Sequence, residues 1–443
     1  MGRLFGTDGI RGVANVDLTP NLAYDLGRAL GHYVDGAGRS VVVGRDTRRS
    51  GEMLASALAA GLTSVGTDVL DLGVVTTPCL AYVAETGEHV AGVMVSASHN
   101  PPDDNGLKVV SGGRKMDDEA EERLEHLIFQ AEALPGPTNA GLGRIHRDPA
   151  AVNVYRDHLA AAAGDLLSGL RIGVDAANGS ASIFGPALFE SLGAHVTTIH
   201  CEPDGTNINV GGGATDPAAL ARLVRSGDLD LGFAFDGDAD RLIAVTEAGE
   251  VVDGDGVMGI CALERLAAGT LAKKTLVVSV MSNDGLVRVV EAAGGRVLRA
   301  PVGDRHIVEA MERSGAMLGG EQSGHVIFRD LASTGDGLLT AIQLVAALRS
   351  ATGPSLGELA ARIPRLPQVM INSAVRHKDQ WQVDPLFADA VARATARLGS
   401  RGRIIVRSSG TEPKLRIMVE GEEPEEIATI ARELAELATA RLN

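Results

Sequence analysis

Aromatic and sulfur-bearing side chains are scarce in this sequence. Phe, Trp and Tyr make up 3% of the 443 residues, and three cysteines occur, Cys79, Cys201 and Cys261. The cysteines show neither a disulfide pattern nor a metal-ligand spacing, which is typical of a reducing compartment. Because aromatic residues are few, the cores must be built from Ala, Val, Leu and Ile. Such cores suit helices layered on buried strands.

Positive charge is also in deficit, because 41 Lys and Arg against 57 Asp and Glu give a formal net charge of −16. A nucleic-acid partner would require an excess of Lys and Arg on one face, so none is expected. The sequence lacks an apolar signal core at its start, and no stretch of about 18 residues is free of charges and helix breakers. We therefore expect a cytoplasmic protein with no membrane partner.

Strand and helix patterns alternate along most of the chain, which is too long for one hydrophobic core. A helix pattern starts at Thr19-Pro20, a strand pattern covers Val41 to Val43, and Ser50 is the predicted cap of the next helix. A further helix is predicted over residues 117–133. The alternation predicts an α/β fold with parallel sheets and right-handed crossovers.

Four domains are predicted, three of them similar mixed α/β domains and the fourth a smaller α+β domain. Leu134-Pro135-Gly136-Pro137 is a plausible boundary region after the first cycle, and the pattern changes after Pro367 to strand, helix, two strands and helix. The predicted boundaries are residues 1–150, 151–252, 253–365 and 366–443.

Three carboxylates stand at alternate positions between two predicted strands. They belong to Asp236, Asp238 and Asp240, and oxygen-only ligands of this kind fit Mg²⁺ or Ca²⁺. An EF-hand is one alternative, because Glu247 falls at the twelfth position of such a loop. However, Arg241 stands where that motif requires glycine, and a strand precedes the loop. A solvated acidic turn is the other alternative.

Ser98 lies in a polar turn after the predicted strand Gly92 to Val95, and His99 and, farther on, Lys108 belong to the same polar segment. An unmodified serine needs a base, and no Gly-x-Ser-x-Gly elbow indicates a hydrolase. A phosphorylated serine would instead be a phosphoryl donor, with a metal on the Asp236 loop neutralising charge during transfer. Taken alone, Ser98 reads as an ordinary polar residue at a strand end.

Two later loops are also rich in polar groups. The segment 319–325 offers the carboxylate of Glu321 and the hydroxyl of Ser323, which could accept hydrogen bonds from sugar hydroxyls. The segment 407–413 combines hydroxyls, backbone N–H groups and the guanidinium of Arg407, which is the composition of a phosphate cradle. Each segment alone is equally compatible with an ordinary turn.

Together and in this order, the four loops resemble those of the α-D-phosphohexomutase superfamily, which has a phosphoserine loop, a metal loop, a sugar loop and a phosphate loop. Nearly the whole chain takes part in the resemblance, including the segments 5–12, 44–48 and 303–305. The Glu-Gln-Ser-Gly-His form of the sugar loop and Thr334-Gly335-Asp336-Gly337 are similar to the bacterial branch that acts on glucosamine phosphates.

The resemblance implies four domains around a central active-site cleft and a Mg²⁺-dependent isomerase of amino sugar metabolism, upstream of peptidoglycan precursors. Phosphorylated Ser98 would give its phosphoryl group to glucosamine 6-phosphate. The resulting glucosamine 1,6-bisphosphate would reorient and return its other phosphoryl group, releasing glucosamine 1-phosphate. These sugar phosphates are the expected partners, and a homodimer is compatible with the sequence.

The resemblance also implies residue roles. Catalytic roles fall to Ser98, Lys108 as acid or base, Arg11 beside the phosphoserine, His99 and Arg241. Metal binding falls to Ser98, Asp236, Asp238 and Asp240. Substrate binding falls to Gly303, Asp304, Arg305, Glu321, Ser323, Arg407, Ser409, Gly410, Thr411 and Arg416.

One position departs from the family pattern, because His306 stands where Tyr often follows Gly-Asp-Arg. Three alternative functions are compatible with the loops. A phosphoglucomutase or phosphomannomutase would use the same loops on a sugar with a 2-hydroxyl group. A phosphatase could use Asp236 as a nucleophile with Asp238 as the acid, although the Ser98 and Arg407 loops would then have no role. A sugar-phosphate sensor would bind without turnover.

Overall fold

The computed structural model of the protein describes residues 4–6, 9–350, 353–408 and 413–443. The chain divides into two units, residues 1–282 with 290–362 and residues 283–289 with 363–443. Within the described residues, no helix is both long enough and apolar enough to cross a lipid bilayer.

A seven-stranded sheet organises the first part of the larger unit. Its elements in chain order are β1 (Ile10–Val13), α1 (Pro20–Tyr33), β2 (Ser40–Arg45), α2 (Gly51–Ser64), β3 (Asp68–Val74), α3 (Thr77–Thr86), β4 (His89–Val95), β5 (Asp104–Ser111), β6 (Arg114–Lys115), α4 (Asp118–Ile128) and β7 (Ile145–Arg147). Thr19 caps α1 by accepting a hydrogen bond from the Leu22 N–H group. Leucines at helical spacing on α1 and α2 are buried in the same core as the valines of β2.

A five-stranded sheet follows. Its elements are α5 (Asn153–Ala163), β8 (Arg171–Asp175), α6 (Ala181–Ser191), β9 (His195–Ile199), α7 (Ala218–Ser226), β10 (Leu231–Phe235), β11 (Leu242–Thr246) and β12 (Val251–Val252). All five residues of β10 are buried, as expected of a strand covered on both faces.

A four-stranded sheet completes the larger unit. The elements of this region are α8 (Gly254–Ala267), β13 (Thr275–Ser279), β14 (Arg296–Ala300), α10 (Asp304–Ser314), β15 (Leu318–Gly320), β16 (Val326–Phe328), α11 (Gly337–Ser350) and α12 (Leu356–Ala360). Between β13 and β14 lies α9 (Asp284–Ala292), whose residues up to Val289 belong to the smaller unit. The smaller unit contains an antiparallel three-stranded sheet with strand order β17-β19-β18. Its elements are β17 (Gln368–Ala374), α13 (Pro385–Leu398), β18 (Gly402–Ser408), β19 (Lys414–Gly421) and α14 (Pro424–Arg441).

The three sheets of the larger unit share one pairing pattern. In the first, β2 pairs in parallel with β3 and β4, and β5 returns antiparallel to β4. β8, β9, β10 and β11 repeat this arrangement, as do β13, β14, β15 and β16. The connectors after β4, β10 and β15 are therefore equivalent, and they carry Ser98, the Asp236 loop and Glu321. The predicted triple α/β fold with a smaller fourth domain is confirmed.

Several local predictions were wrong. The sheets are mixed and not purely parallel, because each parallel set ends in an antiparallel return strand. Lys108 does not belong to a polar turn but lies on β5. The Ser50 side chain makes no capping hydrogen bond, because its backbone is helical (φ −72°, ψ −13°) and not extended as in a capping residue. Its Oγ instead accepts a hydrogen bond from Asn105 Nδ2 at 2.9 Å.

The helix predicted over residues 117–133 ends at Ile128, and a short 3₁₀ turn follows over Ala131–Ala133. Arg28 supplies the physical reason. Its Nε donates to the Ala131 carbonyl at 2.9 Å, and its Nη2 donates to the Leu134 carbonyl. By binding both carbonyls, the guanidinium holds residues 131–134 in this turn instead of a continued helix.

Candidate active site

Ser98 is buried beyond the end of β4, with 1% of its surface exposed. Its φ of 52° lies in the left-handed region, which costs an L-residue roughly 1–2 kcal/mol. The Oγ atom donates a hydrogen bond to Oδ2 of Asp236 at 2.5 Å, and Nδ1 of His99 lies 3.3 Å from it. The structure thus joins the serine loop and the acidic loop, which are 138 residues apart in sequence.

The acidic loop forms the tight connection between β10 and β11. One carboxylate oxygen from each of Asp236, Asp238 and Asp240 lies within 4.8 Å of the others, and all three residues are buried. Among the described residues, none donates a hydrogen bond to Oδ1 of Asp238 or Oδ1 of Asp240. Burial and the carboxylates of Asp240 and Asp238 raise the pKa of Asp236 well above its ordinary value. Buried, converging carboxylates with unsatisfied oxygens fit a divalent cation such as Mg²⁺.

Glu247 does not take part in this loop. Its carboxylate accepts hydrogen bonds from Ser355 Oγ at 2.5 Å and from the Gly357 N–H group at 3.2 Å, at the start of α12. Two β-strands flank the acidic residues, so the flanking helices of an EF-hand are missing from this described segment. The EF-hand and the solvated-turn alternatives are both excluded, the latter because the aspartates are buried.

Lys108 points from β5 to the same cluster. Its Nζ lies 2.7 Å from Oδ2 of Asp238, and its side chain is 2% exposed. Oγ1 of Thr77, at the start of α3, donates to the same Asp238 oxygen at 2.5 Å. Lys108 is therefore adjacent to the candidate metal site, where an acid or base could reach a reacting hydroxyl group.

Three further predicted residues surround Ser98. Arg11 donates from Nη1 to Oδ1 of Asn100 at 3.3 Å, and Nε of Arg241 lies 3.7 Å from Oδ1 of Asp240. Burial lowers the pKa of His99 to about 4, with the charges of Arg241 and Arg11 acting in the same direction. His99 is consequently neutral at neutral pH.

The connector between β15 and β16 carries the predicted sugar-binding residues. Ser323 is exposed, whereas Oε1 of Glu321 accepts a hydrogen bond from the Gly303 N–H group at 3.0 Å. In the same connector, His325 is buried, with Nδ1 at 3.5 Å from Oδ2 of Asp240. The acidic loop and the connector between β15 and β16 are thus in direct contact.

The other residues of this region contact protein groups. Oδ2 of Asp304 lies 2.6 Å from Nζ of Lys115 and 3.9 Å from Nε2 of His325. Arg305 pairs with Asp118 and, at 3.3 Å, with Glu309. His306, the position that departs from the family pattern, is partly exposed on α10. The roles of Gly303, Asp304 and Arg305 in substrate binding remain predictions.

The smaller unit carries the predicted phosphate loop. Ser409, Gly410 and Thr411 lie outside the described residues. Arg407 on β18 and Arg416 on β19 are directly opposite each other in the antiparallel register. Two guanidinium groups at opposed positions of a sheet are suited to bind an anion.

Sequence reasoning missed the residues that hold the serine loop, chiefly Asp46, Arg48 and Asn209. Arg48 is 3% exposed and donates to backbone carbonyls of the loop, as does Asn209. The sequence indicates Asp46 and Arg48 only within the matching segment 44–48, because their burial cannot be read from the sequence. Asn209 carries no local signal either.

Comparison with known proteins agrees with this geometry. Four family models cover most of the chain, described as the phosphoglucomutase/phosphomannomutase α/β/α domains I, II and III at residues 2–134, 153–249 and 253–366, and the C-terminal domain at residues 370–437. The chain belongs to this family. Its members are sugar-phosphate mutases, so the chain is an enzyme of the isomerase class, and the phosphatase alternative has no support.

Curated relatives extend over the full length. The phosphoglucosamine mutase of Symbiobacterium thermophilum is 50% identical over 448 residues, with 100% of both chains covered. The phosphoglucosamine mutase of Moorella thermoacetica is 49% identical, with 99% of this chain and 100% of the relative covered.

Solved structures share the fold. A phosphoglucomutase/phosphomannomutase family protein from Burkholderia thailandensis has a TM-score of 0.85 and 30% identity, with 99% of this chain and 98% of the other covered. The N-acetylphosphoglucosamine mutase of Aspergillus fumigatus, solved with GlcNAc-6P and magnesium, has a TM-score of 0.65 at 17% identity over 99% and 96% of the chains. At that identity the second likeness concerns the fold alone.

Proposed function

We propose that the chain is a phosphoglucosamine mutase that interconverts glucosamine 6-phosphate and glucosamine 1-phosphate through a phosphorylated Ser98. The observation that carries the proposal is the hydrogen bond from Ser98 Oγ to Asp236 within a buried carboxylate cluster. The full-length relatives named phosphoglucosamine mutase support the choice of sugar. Glucose and mannose phosphates are the alternative substrates.

Asp236, Asp238 and Asp240 would hold Mg²⁺ together with an oxygen of Ser98, since their oxygens converge and two of them are unsatisfied among the described residues. When bound, Mg²⁺ neutralises negative charge on the transferring phosphoryl oxygens. Without a bound cation, the carboxylates of the acidic loop would repel a phosphate group.

In the first half of the reaction, the bond between phosphorus and Ser98 Oγ breaks as a bond to O1 of glucosamine 6-phosphate forms. The O1 hydroxyl proton leaves the sugar, and Ser98 Oγ ends protonated. Lys108 relays this proton, because it lies against Asp238 in the same cluster. Its ammonium group gives a proton to Ser98 Oγ as the phosphoryl group leaves, and the amine that remains takes up the proton of O1. Arg11 and Arg241 add positive charge near the transferred group.

In the second half, the 1,6-bisphosphate reorients, the bond between O6 and phosphorus breaks, and the 6-phosphoryl group is transferred to Ser98. The proton moves in the opposite direction, from Ser98 Oγ to O6. The opposed Arg407 and Arg416 bind the phosphate that does not react, together with Ser409, Gly410 and Thr411. Either phosphate can occupy such a site, so one set of residues serves both halves.

Glu321 and Ser323 hold sugar hydroxyls. The Glu321 carboxylate is oriented by the Gly303 N–H group, and its second oxygen can accept from the sugar. Gly303, Asp304 and Arg305 shape the same side of the substrate site through their contacts with Glu321, Lys115 and Asp118.

Intact mass spectrometry with phosphosite mapping, combined with isomerisation assays on glucosamine, glucose and mannose 6-phosphates, tests the proposal. We expect one phosphate on Ser98 after incubation with a hexose 1,6-bisphosphate, and the fastest turnover with glucosamine 6-phosphate. Ser98→Ala should lose both the phosphate and turnover, while Ser111→Ala, an exposed serine on β5, should retain them.

Two outcomes would contradict the proposal at different levels. Absence of phosphate on Ser98 together with absence of isomerisation would overturn the mechanism. Preference for glucose or mannose 6-phosphate would leave the mechanism and change the substrate.

A further inference from the structure

In the described part of its turn, Ser98 alone has both its N–H group and its carbonyl group connected by hydrogen bonds to one buried ion pair. Its N–H group donates to Oγ of Ser96 at 2.9 Å, and that hydroxyl donates to Oδ2 of Asp46 at 2.6 Å. The same Asp46 oxygen accepts from Nε of Arg48 at 2.9 Å. Nη2 of Arg48 then donates to the Ser98 carbonyl at 3.0 Å, which closes the ring.

The remaining N–H groups of the Arg48 guanidinium donate to carbonyls of the same turn. Nη2 also donates to the Asn100 carbonyl at 2.8 Å, and Nη1 donates to the carbonyls of Pro101 and, at 2.9 Å, Asp104. A guanidinium has five N–H groups in a rigid plane. The hydrogen bond to Asp46 and those to the carbonyls of the turn therefore use all five. Four backbone carbonyls are thereby fixed around one side chain.

This ion pair is sealed from solvent, because the side chains of both Asp46 and Arg48 are 0% exposed. Hydrogen bonds between charged and neutral groups are stronger in such surroundings than in water. A second donor, Nδ2 of Asn209, reaches the Ser98 carbonyl at 2.8 Å and the Asn100 carbonyl at 3.0 Å from the neighbouring sheet region.

We infer that the Asp46–Arg48 ion pair is the positioning element that holds Ser98 in its left-handed conformation and thereby aims Oγ at Asp236. A residue at φ 52° relaxes to the ordinary right-handed or extended regions unless neighbours fix its peptides. The inference rests on the proposed function, in which Ser98 Oγ must be aligned with the phosphoryl group that it accepts. Arg48 contacts neither Oγ nor the carboxylate cluster in the described hydrogen bonds, so its role is positioning and not catalytic.

The test compares Arg48→Lys with Arg28→Lys in the full-length protein. Lysine keeps the charge but cannot bridge Asp46 and four carbonyls from one plane. Arg28 is a matched control, because it also binds backbone carbonyls from a partly buried position in the same sheet region, at residues 131 and 134. Steady-state kinetics on glucosamine 6-phosphate, the rate of Ser98 phosphorylation by glucose 1,6-bisphosphate, and thermal unfolding with and without Mg²⁺ are measured for each.

We expect Arg48→Lys to lower kcat and the phosphorylation rate about 100-fold, as a misplacement of about 1 Å does. KM and the Mg²⁺-induced rise in the unfolding midpoint should change less than about threefold and should match those of Arg28→Lys. A kcat within about threefold of the control would overturn the inference. Loss of kcat, substrate affinity and the Mg²⁺ response together would also overturn it, since a merely structural role predicts that pattern.

Ser96→Ala supplies a second test that leaves both charges of the ion pair in place. It removes the hydroxyl group that connects the Ser98 N–H group to Asp46, and we expect kcat to fall about tenfold with KM unchanged. An unchanged kcat would contradict the inference even if Arg48→Lys failed to fold. A wild-type protein that isomerises none of the three sugar phosphates would instead overturn the proposed function, so the two failures are distinguishable.

Discussion

Nζ of Lys108 lies 2.7 Å from Oδ2 of Asp238, and both side chains are almost fully buried. The pair joins the candidate proton-transfer residue to a candidate metal ligand across 130 residues of sequence. In a buried ion pair, removal of one partner leaves an uncompensated charge, which typically costs about 3–5 kcal/mol. Lys108 therefore has a structural and a chemical consequence that can be separated by measurement.

Lys108→Met should lower kcat by about 10²–10⁴, the usual contribution of a positioned acid or base. Its free energy of unfolding without metal should fall by about 3–5 kcal/mol, and Mg²⁺ should recover part of this loss because a cation replaces the missing positive charge. Enzyme assays and urea unfolding with and without Mg²⁺ measure both effects. The exposed Lys274→Met is the control, and a Lys108→Met enzyme with normal kcat would exclude the proton-transfer role.

Mg²⁺ should stabilise the wild-type protein and not the Asp240→Asn variant, because the cation binds the folded carboxylate cluster. At a concentration about 100 times the dissociation constant, the expected stabilisation is about 2.7 kcal/mol. Differential scanning calorimetry across a Mg²⁺ titration measures it. Asp216→Asn, which changes an exposed carboxylate elsewhere, should respond like the wild type. Equal responses of all three proteins would place the bound Mg²⁺ outside the cluster.

Gly237→Ala should impair turnover strongly, because an added Cβ would lie 2.6 Å from the Ser98 carbonyl oxygen and 2.8 Å from Cδ1 of Ile208. The serine loop and the acidic loop would have to separate, and a shift of about 1 Å costs about 100-fold in rate. Gly185→Ala on α6 is the control, since its nearest neighbour would be Leu338 at an ordinary 3.5 Å. Comparable kcat values for the two variants would show that the close approach has no catalytic importance.

Arg416→Gln should raise KM for the sugar phosphate by about 10- to 100-fold, the equivalent of one charge-assisted hydrogen bond. The stability of the smaller unit should change by less than about 1 kcal/mol, because Arg416 is not fully buried. Kinetics and thermal unfolding are compared with Arg393→Gln, which removes an exposed arginine of the same unit that pairs with Asp389. A KM equal to that of the control would remove Arg416 from the phosphate site.

Asp336 makes stability depend on pH. Burial raises the pKa of its carboxyl from 3.8 to about 6 in the folded protein, where Tyr155 donates a hydrogen bond to it at 2.9 Å. The folded state thus binds more protons than the unfolded state between these values, so this contribution to stability is present at low pH and is lost as pH rises through about 6.

The loss should amount to about 3 kcal/mol, the equivalent of roughly two pKa units. The free energy of unfolding of the wild type minus that of Asp336→Asn isolates this group from the other carboxylates. This difference should be about 2 kcal/mol more favourable to the wild type at pH 4 than at pH 7, because pH 4 already lies above the ordinary pKa of 3.8. A difference that is constant with pH would contradict the raised pKa.

The sequence predicts the chemistry-bearing loops well, for a physical reason. Ser98 and the Asp236 loop each follow an apolar strand, and strand ends are where polar groups become available to a ligand. Three carboxylates at alternate positions in a short loop converge almost regardless of the tertiary context. Their grouping with a metal-binding geometry was therefore foreseeable from residues 231–245 alone.

The supports of those loops were not foreseeable. Arg48 and Asn209 act on backbone carbonyls, which have no sequence signature, and Thr77 meets Asp238 across 161 residues. The polar residues Asp104 and Asn105 near Lys108 favour a turn in the sequence, whereas pairing with β4 and β1 makes the segment a strand. Tertiary contacts outweigh local propensity at such positions.

The pairing pattern that the three sheets of the larger unit share distinguishes the strands, which form the scaffold, from the connectors, which carry the candidate site residues. In each copy the chain leaves the sheet for a short connector, residues 96–103, 236–241 and 321–325, and re-enters it antiparallel to the strand that it left. Duplication of one ancestral unit would supply three such connectors at once, each free to diverge while the strands stay constrained by burial. The predicted phosphoryl-carrying, cation-binding and sugar-binding roles would then be divided among the three copies. We therefore expect that substrate range can be changed by exchanging a connector of five to eight residues while the sheets stay intact.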